Sequence, residues 1–251
     1  MFQKWFLLFI SFFSFANASL FMNALDSLKD NPYGFYFFDT GITQNDLKDF
    51  QAIKIEKEKF YQQFGELSKT ESGITDFLNN LGQNDHQVTL RIAKVLTQIS
   101  NQVLTASESE TAWIHLRASV PTDTYDIPRW HMDGLYFRPV EPTSTMYRFV
   151  ITLQGPPTLF YLLPQEQRET AWKNMRYRTI MQTFCLPERV VRPNIGEGVF
   201  FIGGSKHKSA LHSEPPIHKN RLFFSIVPCS EKQLPELKSK ISAIYPKEPK
   251  N

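Results

Sequence analysis

At 251 residues the chain is long enough for one sizeable domain or two small ones. Hydrophobic residues at 41% and aromatics at 14% supply a core, which excludes wholesale disorder. A net charge of +3, dispersed along the sequence, excludes an electrostatic case for nucleic-acid binding.

Residues 1–18 read as a secretory signal. Lys4 gives the positive start, Trp5–Phe15 is apolar except for Ser11 and Ser14, and Ala16-Asn17-Ala18 is a small-x-small cleavage site. The apolar run is too short for a stable span of a bilayer; an uncleaved anchor is the alternative. The expectation is an exported chain, periplasmic or secreted, that begins at Ser19 and carries no later membrane span.

Beyond it, Leu20, Phe21, Ala24, Leu25 and Leu28 fall at helical spacing until Asn31-Pro32-Tyr33-Gly34 breaks the pattern. Phe35–Phe38 reads as a short strand. Thr43 or Asn45 caps a helix through Leu47 and Phe50, and Lys54–Leu67 continues as a charged amphipathic stretch. A further short helix starts near Ser72 and ends near Gly82. Asp85–Leu104 is the clearest helix, with Val88, Leu90, Ile92, Val95, Leu96, Ile99 and Val103 on one stripe and Asp85 or Asn84 as cap. That stripe is a packing face.

The texture changes at Thr111. Ala112–Val120 alternates, Pro121–Asp126 turns, and Ile127–His131 is extended, since Pro128 disfavours helix before it. Met146–Leu153 is rich in β-branched and aromatic residues, Gly155-Pro156-Pro157 turns it, and Thr158–Leu162 returns. Pro164–Tyr177 reads as a helix with Pro at its first position. Thr179–Phe184, Arg189–Val191, Val199–Ile202 and Leu222–Val227 read as strands, Ser230–Ile244 as a closing helix and 245–251 as a polar tail. The fold class is therefore α+β. A mainly helical part, 19–110, packs on a β-rich part, 111–251, of the sandwich or jelly-roll kind. No flexible linker separates them, so one compact unit is expected. Cys185 and Cys229 flank predicted strands; an exported pair can form a disulfide or remain two buried thiols.

The chemistry concentrates at Arg129-Trp130-His131-Met132-Asp133-Gly134. On an extended chain residues i and i+2 point the same way, so His131 and Asp133 converge while Met132 faces away. Gly134 lets the chain turn afterwards. A second imidazole completes a two-His, one-carboxylate face that leaves octahedral positions open, the arrangement suited to Fe(II) oxygenases. His86, His115, His207, His212 and His218 are the available partners. His212 fits best, because it follows the strand Gly198–Ile202 and a Gly203-Gly204 turn and precedes Arg221 on a further strand. His207 is the runner-up. Arg221 carries a fixed charge able to hold the far carboxylate of a 2-oxo diacid; a salt bridge to an acid such as Glu214 is the alternative. Arg148 is a second candidate for the substrate or co-substrate, with a solvated or paired arginine as the alternative. Trp130 and Tyr136 are candidates for lining a substrate pocket, with core packing as theirs. No Gly-x-Ser-x-Gly elbow surrounds Ser205, and no P-loop or Rossmann glycine fingerprint is present.

The order His131-x-Asp133, His212, Arg221 resembles the Fe(II)- and 2-oxoglutarate-dependent dioxygenases over roughly residues 110–228. The runs Trp130–Asp133, Arg148–Thr158 and His212–Pro216 are also similar to a bacterial branch of that group whose substrate is unassigned. The resemblance implies a double-stranded β-helix core, iron held by His131, Asp133 and His212, and 2-oxoglutarate held by the metal and Arg221, in an exported oxygenase of the hydroxylase kind. Relatives commonly carry Ser two residues after the Arg; here that residue is Phe223. With the signal segment, this difference motivates the alternative, a secreted binding protein on the same β frame with a structural or vestigial metal.

Overall fold

The computed structural model describes residues 19–123, 127–134, 136 and 145–244. The signal segment 1–18, part of the 121–126 turn and the tail 245–251 lie outside them. In chain order come a helix α1 (19–29), strand β1 (Phe35–Asp39), α2 (Gln44–Ala52), β2 (Lys59–Gly65), α3 (Thr70–Asn79), α4 (His86–Ala106), β3 (Thr111–Ser119) and β4 (Arg129–His131). These are followed by β5 (Met146–Gln154), β6 (Leu159–Tyr161), α5 (Arg168–Asn174), α6 (Arg178–Phe184), β7 (Val190–Val191), β8 (Glu197–Gly203), β9 (His212–Glu214), β10 (Arg221–Cys229) and α7 (Leu234–Ile244).

The strands form two antiparallel sheets. The large one has the order β1-β8-β5-β10-β3-β2 and the small one β4-β9-β6-β7. From β3 to β10 the chain winds between them: β3 large, β4 small, β5 large, β6 and β7 small, β8 large, β9 small, β10 large. This is the winding of a jelly roll. No helix among the described residues is long and apolar enough to cross a membrane.

Alternation along each strand of the large sheet separates core from site. Ile114, Leu116 and Ala118 on β3, Phe149, Ile151 and Leu153 on β5, Phe200 and Ile202 on β8, and Leu222, Phe224 and Ile226 on β10 all join one apolar cluster. The same cluster takes in Phe21 and Leu25 of α1, Phe50 of α2, Ile74 of α3 and Ile92, Leu96, Ile99 and Val103 of α4. The helices therefore cover the outer face. The residues between, His115 and Arg117, Arg148 and Val150, Phe201, Arg221 and Phe223, look inward onto a cavity.

Local sequence explains the helix starts. Asp85 accepts hydrogen bonds from Gln87 N at 2.8 Å and Val88 N at 3.0 Å, and Thr43 and Asp46 form a reciprocal capping box for α2.

Several expectations change. Lys54–Leu67 does not continue α2; it holds β2, the edge strand beside β3. With β1, it makes the part before residue 110 a contributor of both edge strands to the large sheet. Thr179–Phe184 is not a strand but α6, which buries Met181 while Ile180 stays exposed. Gly155–Pro157 does not close a hairpin; β6 crosses to the small sheet and pairs with β7 and β9. Pro164 caps a short 3-10 turn ahead of α5 instead of opening the helix itself. Cys185 and Cys229 are both buried free thiols; burial pushes Cys185 up to about 12.

Candidate metal centre

His131 ends β4 and His212 starts β9, and these strands pair in register with His131 opposite His212. Their rings lie 4.3 Å apart, centroid to centroid. Asp133 follows in the loop after β4. Gly204 N–H donates to Asp133 O at 2.8 Å. A side chain at Gly203 would press on Met146 Cε at 2.2 Å and Asp133 Cβ at 3.2 Å. A side chain at 203 would thus displace the Met146 methyl and crowd Asp133, so glycine leaves both room. Gly134 needs no such account: it has no positive φ, and a side chain there would meet nothing.

Asp133 Oδ1 is 3.7 Å from Nε2 of His131 and 3.7 Å from Nε2 of His212, and the three ligand atoms all fall within 4.8 Å of one another. A single ion bonding such donors at ~2.0–2.2 Å draws them in only slightly. His131 Nδ1 lies 2.8 Å from Arg129 O and His212 Nδ1 3.2 Å from Ala210 O. A carbonyl only accepts, so each contact puts the proton on Nδ1 and leaves the Nε2 lone pair facing Asp133. The residues therefore fit a divalent transition metal. Their mixed imidazole and carboxylate donors, all on one side, suit Fe(II) with open positions.

The electrostatics agree with that use. Burial by itself would raise the Asp133 carboxyl, but Arg148 first, then His212 and His131, outweigh it and hold the group well below the usual carboxylate range. Burial, then His131, pushes His212 down to about 3, so its imidazole is neutral at pH 7. Phe201 packs beside the His212 ring at 4.6 Å and Phe160 at 5.9 Å, which fixes its plane.

The triad opens into a cavity of about 250 Å³. Arg148 and Arg221 both line it, in different roles. Arg148 Nη1 donates to Asp133 Oδ2 at 2.8 Å and to Tyr136 Oη at 3.1 Å, while its Nε donates to Ser225 Oγ at 2.8 Å. It grips the ligand carboxylate and is not simply solvated. Arg221 is 2% exposed; its Nε donates to Pro156 O at 2.9 Å and its Nη2 to Thr158 Oγ1 at 3.0 Å. Phe223, in the place where a Ser was expected, stacks under the guanidinium at 4.5 Å. Burial, then Arg117 and Arg129, lowers Arg221 to about 9, so it stays charged at neutral pH. Arg221 also has the alternative partner: its Nη1 is 3.7 Å from Glu214 Oε1.

Tyr136 lines the cavity and meets Trp113 edge-on at 5.8 Å. Trp130 does not line it. As the neighbour of His131 on β4 it points to the opposite face, where it packs with Met132 and Tyr161. There it borders a separate depression with Leu159, Cys185 and Leu186. His115 is in the cavity wall, stacked on Trp113 at 5.4 Å, but outside the ligand cluster. Arg117 and Glu214 also line the cavity, though the sequence marks neither as a ligand or co-substrate residue. The signal for both was the two-residue step, from His115 and from His212.

No family model matches the chain, and no curated protein matches it. Among solved structures it is similar to a Pseudomonas putida prolyl-4-hydroxylase, at 12% identity and a TM-score of 0.41 over 84% of this chain and 99% of that one. It is similar to a rice dioxygenase for auxin oxidation at 9% identity, TM-score 0.46, covering 86% of this chain and 79% of that one. A third is the Arabidopsis thaliana dioxygenase for auxin oxidation 1 in a 2-oxoglutarate complex, at 6% identity and TM-score 0.41, covering 84% and 88%.

Proposed function

We propose that the chain is an exported non-haem Fe(II) oxygenase of the hydroxylase kind that takes 2-oxoglutarate as co-substrate. The observation that carries this reading is the meeting of His131, Asp133 and His212 in one cavity that also holds the buried cation Arg221. His131, Asp133 and His212 would hold the metal on one side and leave its other positions open to the cavity. A ferrous ion with a 2-oxo acid and O2 supplies the oxidising power for hydroxylating an unreactive C–H bond. The chain's part is to bind and orient. Arg148 holds one oxygen of Asp133 so that the other faces the two imidazoles. Arg221 and the Thr158 hydroxyl offer a charged, preorganised end for the far carboxylate of the diacid. Phe201, Phe223 and Val150 line the cavity and limit water around the reacting groups.

The test is anaerobic titration of the reduced, metal-free protein with Fe(II), then with 2-oxoglutarate. The expected result is Fe(II) uptake, a visible absorption band on adding 2-oxoglutarate, and decarboxylation of the diacid once O2 is admitted. His131→Ala should lose all three. If the wild type takes up no Fe(II) under these conditions, the reading is wrong.

Export is proposed from the signal segment, Lys4, Trp5–Phe15 and Ala16-Asn17-Ala18. N-terminal sequencing of protein recovered outside the cytoplasm should begin at Ser19; an intact Met1 on that material rejects cleavage.

A further inference from the structure

The cavity wall has two polar rungs. β4 and β9 pair with His131 opposite His212 and Arg129 opposite Glu214. Both pairs are two residues apart on their strands, so both are on the inward face. One rung carries the imidazoles; the other carries an ion pair. Glu214 is the hub of that second rung. Its Oε1 lies 2.8 Å from Arg117 Nη1 and 3.7 Å from Arg221 Nη1, and its other oxygen is paired with Arg129. Arg117 is tied on its far side to Glu58 at 2.7 Å. Three arginines converge on one carboxylate whose side chain is 18% exposed.

Arg221 spends its other nitrogens on the protein, Nε on Pro156 O and Nη2 on Thr158 Oγ1. Nη1 is the nitrogen that faces Glu214. A ligand carboxylate that comes to Arg221 from the cavity therefore arrives where a protein carboxylate already stands. Two like charges in a partly buried space repel unless other cations hold one of them. Arg117 and Arg129 are placed to do that.

We propose that Glu214 is a specificity-determining residue at the co-substrate end: its carboxylate, shared among Arg117, Arg129 and Arg221, sets how strongly the cavity takes a 2-oxo acid bearing a second carboxylate. The inference rests on the 2-oxo-acid reading above and deepens it. A bound diacid competes with Glu214 for Arg221 and leaves Glu214 to the other two arginines. Arg117 acts through Glu214 and is a positioning residue. Without it Glu214 turns toward Arg221, and the diacid loses ground.

The experiment uses the full chain loaded with Co(II), titrated calorimetrically with 2-oxoglutarate and with 2-oxopentanoate, which lacks only the far carboxylate. Glu214→Gln should bind 2-oxoglutarate about tenfold tighter than wild type, the scale of removing one like charge from a partly buried contact, with 2-oxopentanoate unchanged. Arg117→Ala should bind 2-oxoglutarate more weakly, and the double variant should recover at least wild-type affinity. Equal or weaker 2-oxoglutarate binding by Glu214→Gln, or the same gain for both acids, overturns the proposal while wild-type binding keeps the co-substrate reading intact. No 2-oxoglutarate binding by any of the Co(II)-loaded proteins overturns both together. Co(II) uptake and melting temperature report on folding. If Glu214→Gln fails that check, Arg117→Ala carries the test alone, and wild-type 2-oxoglutarate affinity in it refutes the idea.

Discussion

Asp133 has two oxygens, and its surroundings treat them differently. Oδ2 accepts from Arg148 Nη1 at 2.8 Å, while Oδ1 stands 3.7 Å from each histidine Nε2. Arg148 is itself fixed, with Nε on Ser225 Oγ at 2.8 Å and its guanidinium near the Trp113 ring at 5.7 Å. Such a partner holds a ligand in the geometry the metal needs, and losing one typically weakens metal binding by about 10- to 100-fold. Arg148→Met should therefore lower Co(II) or Fe(II) affinity within that range. The d–d spectrum of bound Co(II) should change as well, because Asp133 is then free to turn both oxygens to the ion. Arg148→Lys keeps a charge near Oδ2 but cannot reach Ser225 and Asp133 together, so it should recover part of the affinity. Metal titration followed by absorption reads both effects. Wild-type affinity and an unaltered spectrum in Arg148→Met would show that Arg148 serves only the fold.

At the scale of elements, sequence and structure agree where periodicity is strong and part where packing decides. α4 is legible because its apolar stripe and its Asp85 cap point the same way. β3, β5, β8 and β10 are legible as strands from β-branched and aromatic runs. α6 is not: Thr179, Ile180, Thr183 and Phe184 are residues that strands favour, and burial of Met181 and Cys185, one turn apart, makes the segment helical. β2 is half-exposed at the sheet edge, and its charged flank imitates a surface helix. The candidate site divides in a similar manner. His131 and Asp133 are adjacent enough for a two-residue step to reveal them, and His212 follows from its turn-flanked position. Arg117 is legible only as a charge two residues from His115, and Glu214 only as a partner offered to Arg221, because a lone charge on a strand reads as a solvated one. Only the register that sets Arg129 against Glu214, and the crossing of β3 over the cavity, shows that these charges face inward. Trp130 takes its core alternative for the converse reason: proximity to His131 in sequence is not proximity in the cavity when neighbours alternate.

For the molecule as a whole, the metal centre and the helical layer lie on opposite faces of the same strands. Phe149 and Phe200 face the helices, while Arg148 and Phe201, one residue away on the same strands, face the cavity. Phe21 of α1 is the residue that ties the layers. Its ring lies 5.0 Å from Phe38 on β1, 5.7 Å from Phe149 on β5 and 6.2 Å from Phe200 on β8, and it is fully buried. It thus touches three neighbouring strands of the large sheet. Truncating such a side chain removes its transfer energy and leaves a cavity that rigid strands cannot close, a loss of about 3–5 kcal/mol. For a chain of this length that corresponds to a fall in melting temperature on the order of 10 °C. Phe21→Ala should show that fall. Because the strands beneath Phe21 also carry the cavity residues, the site should be lost with the helices. Far-UV circular dichroism of the helices and the absorption of Co(II) at the His131–Asp133–His212 site should decay in one transition, in wild type and variant alike. A Co(II) signal that outlasts the helical signal in Phe21→Ala would mean that the β frame holds its metal centre without the layer packed against it.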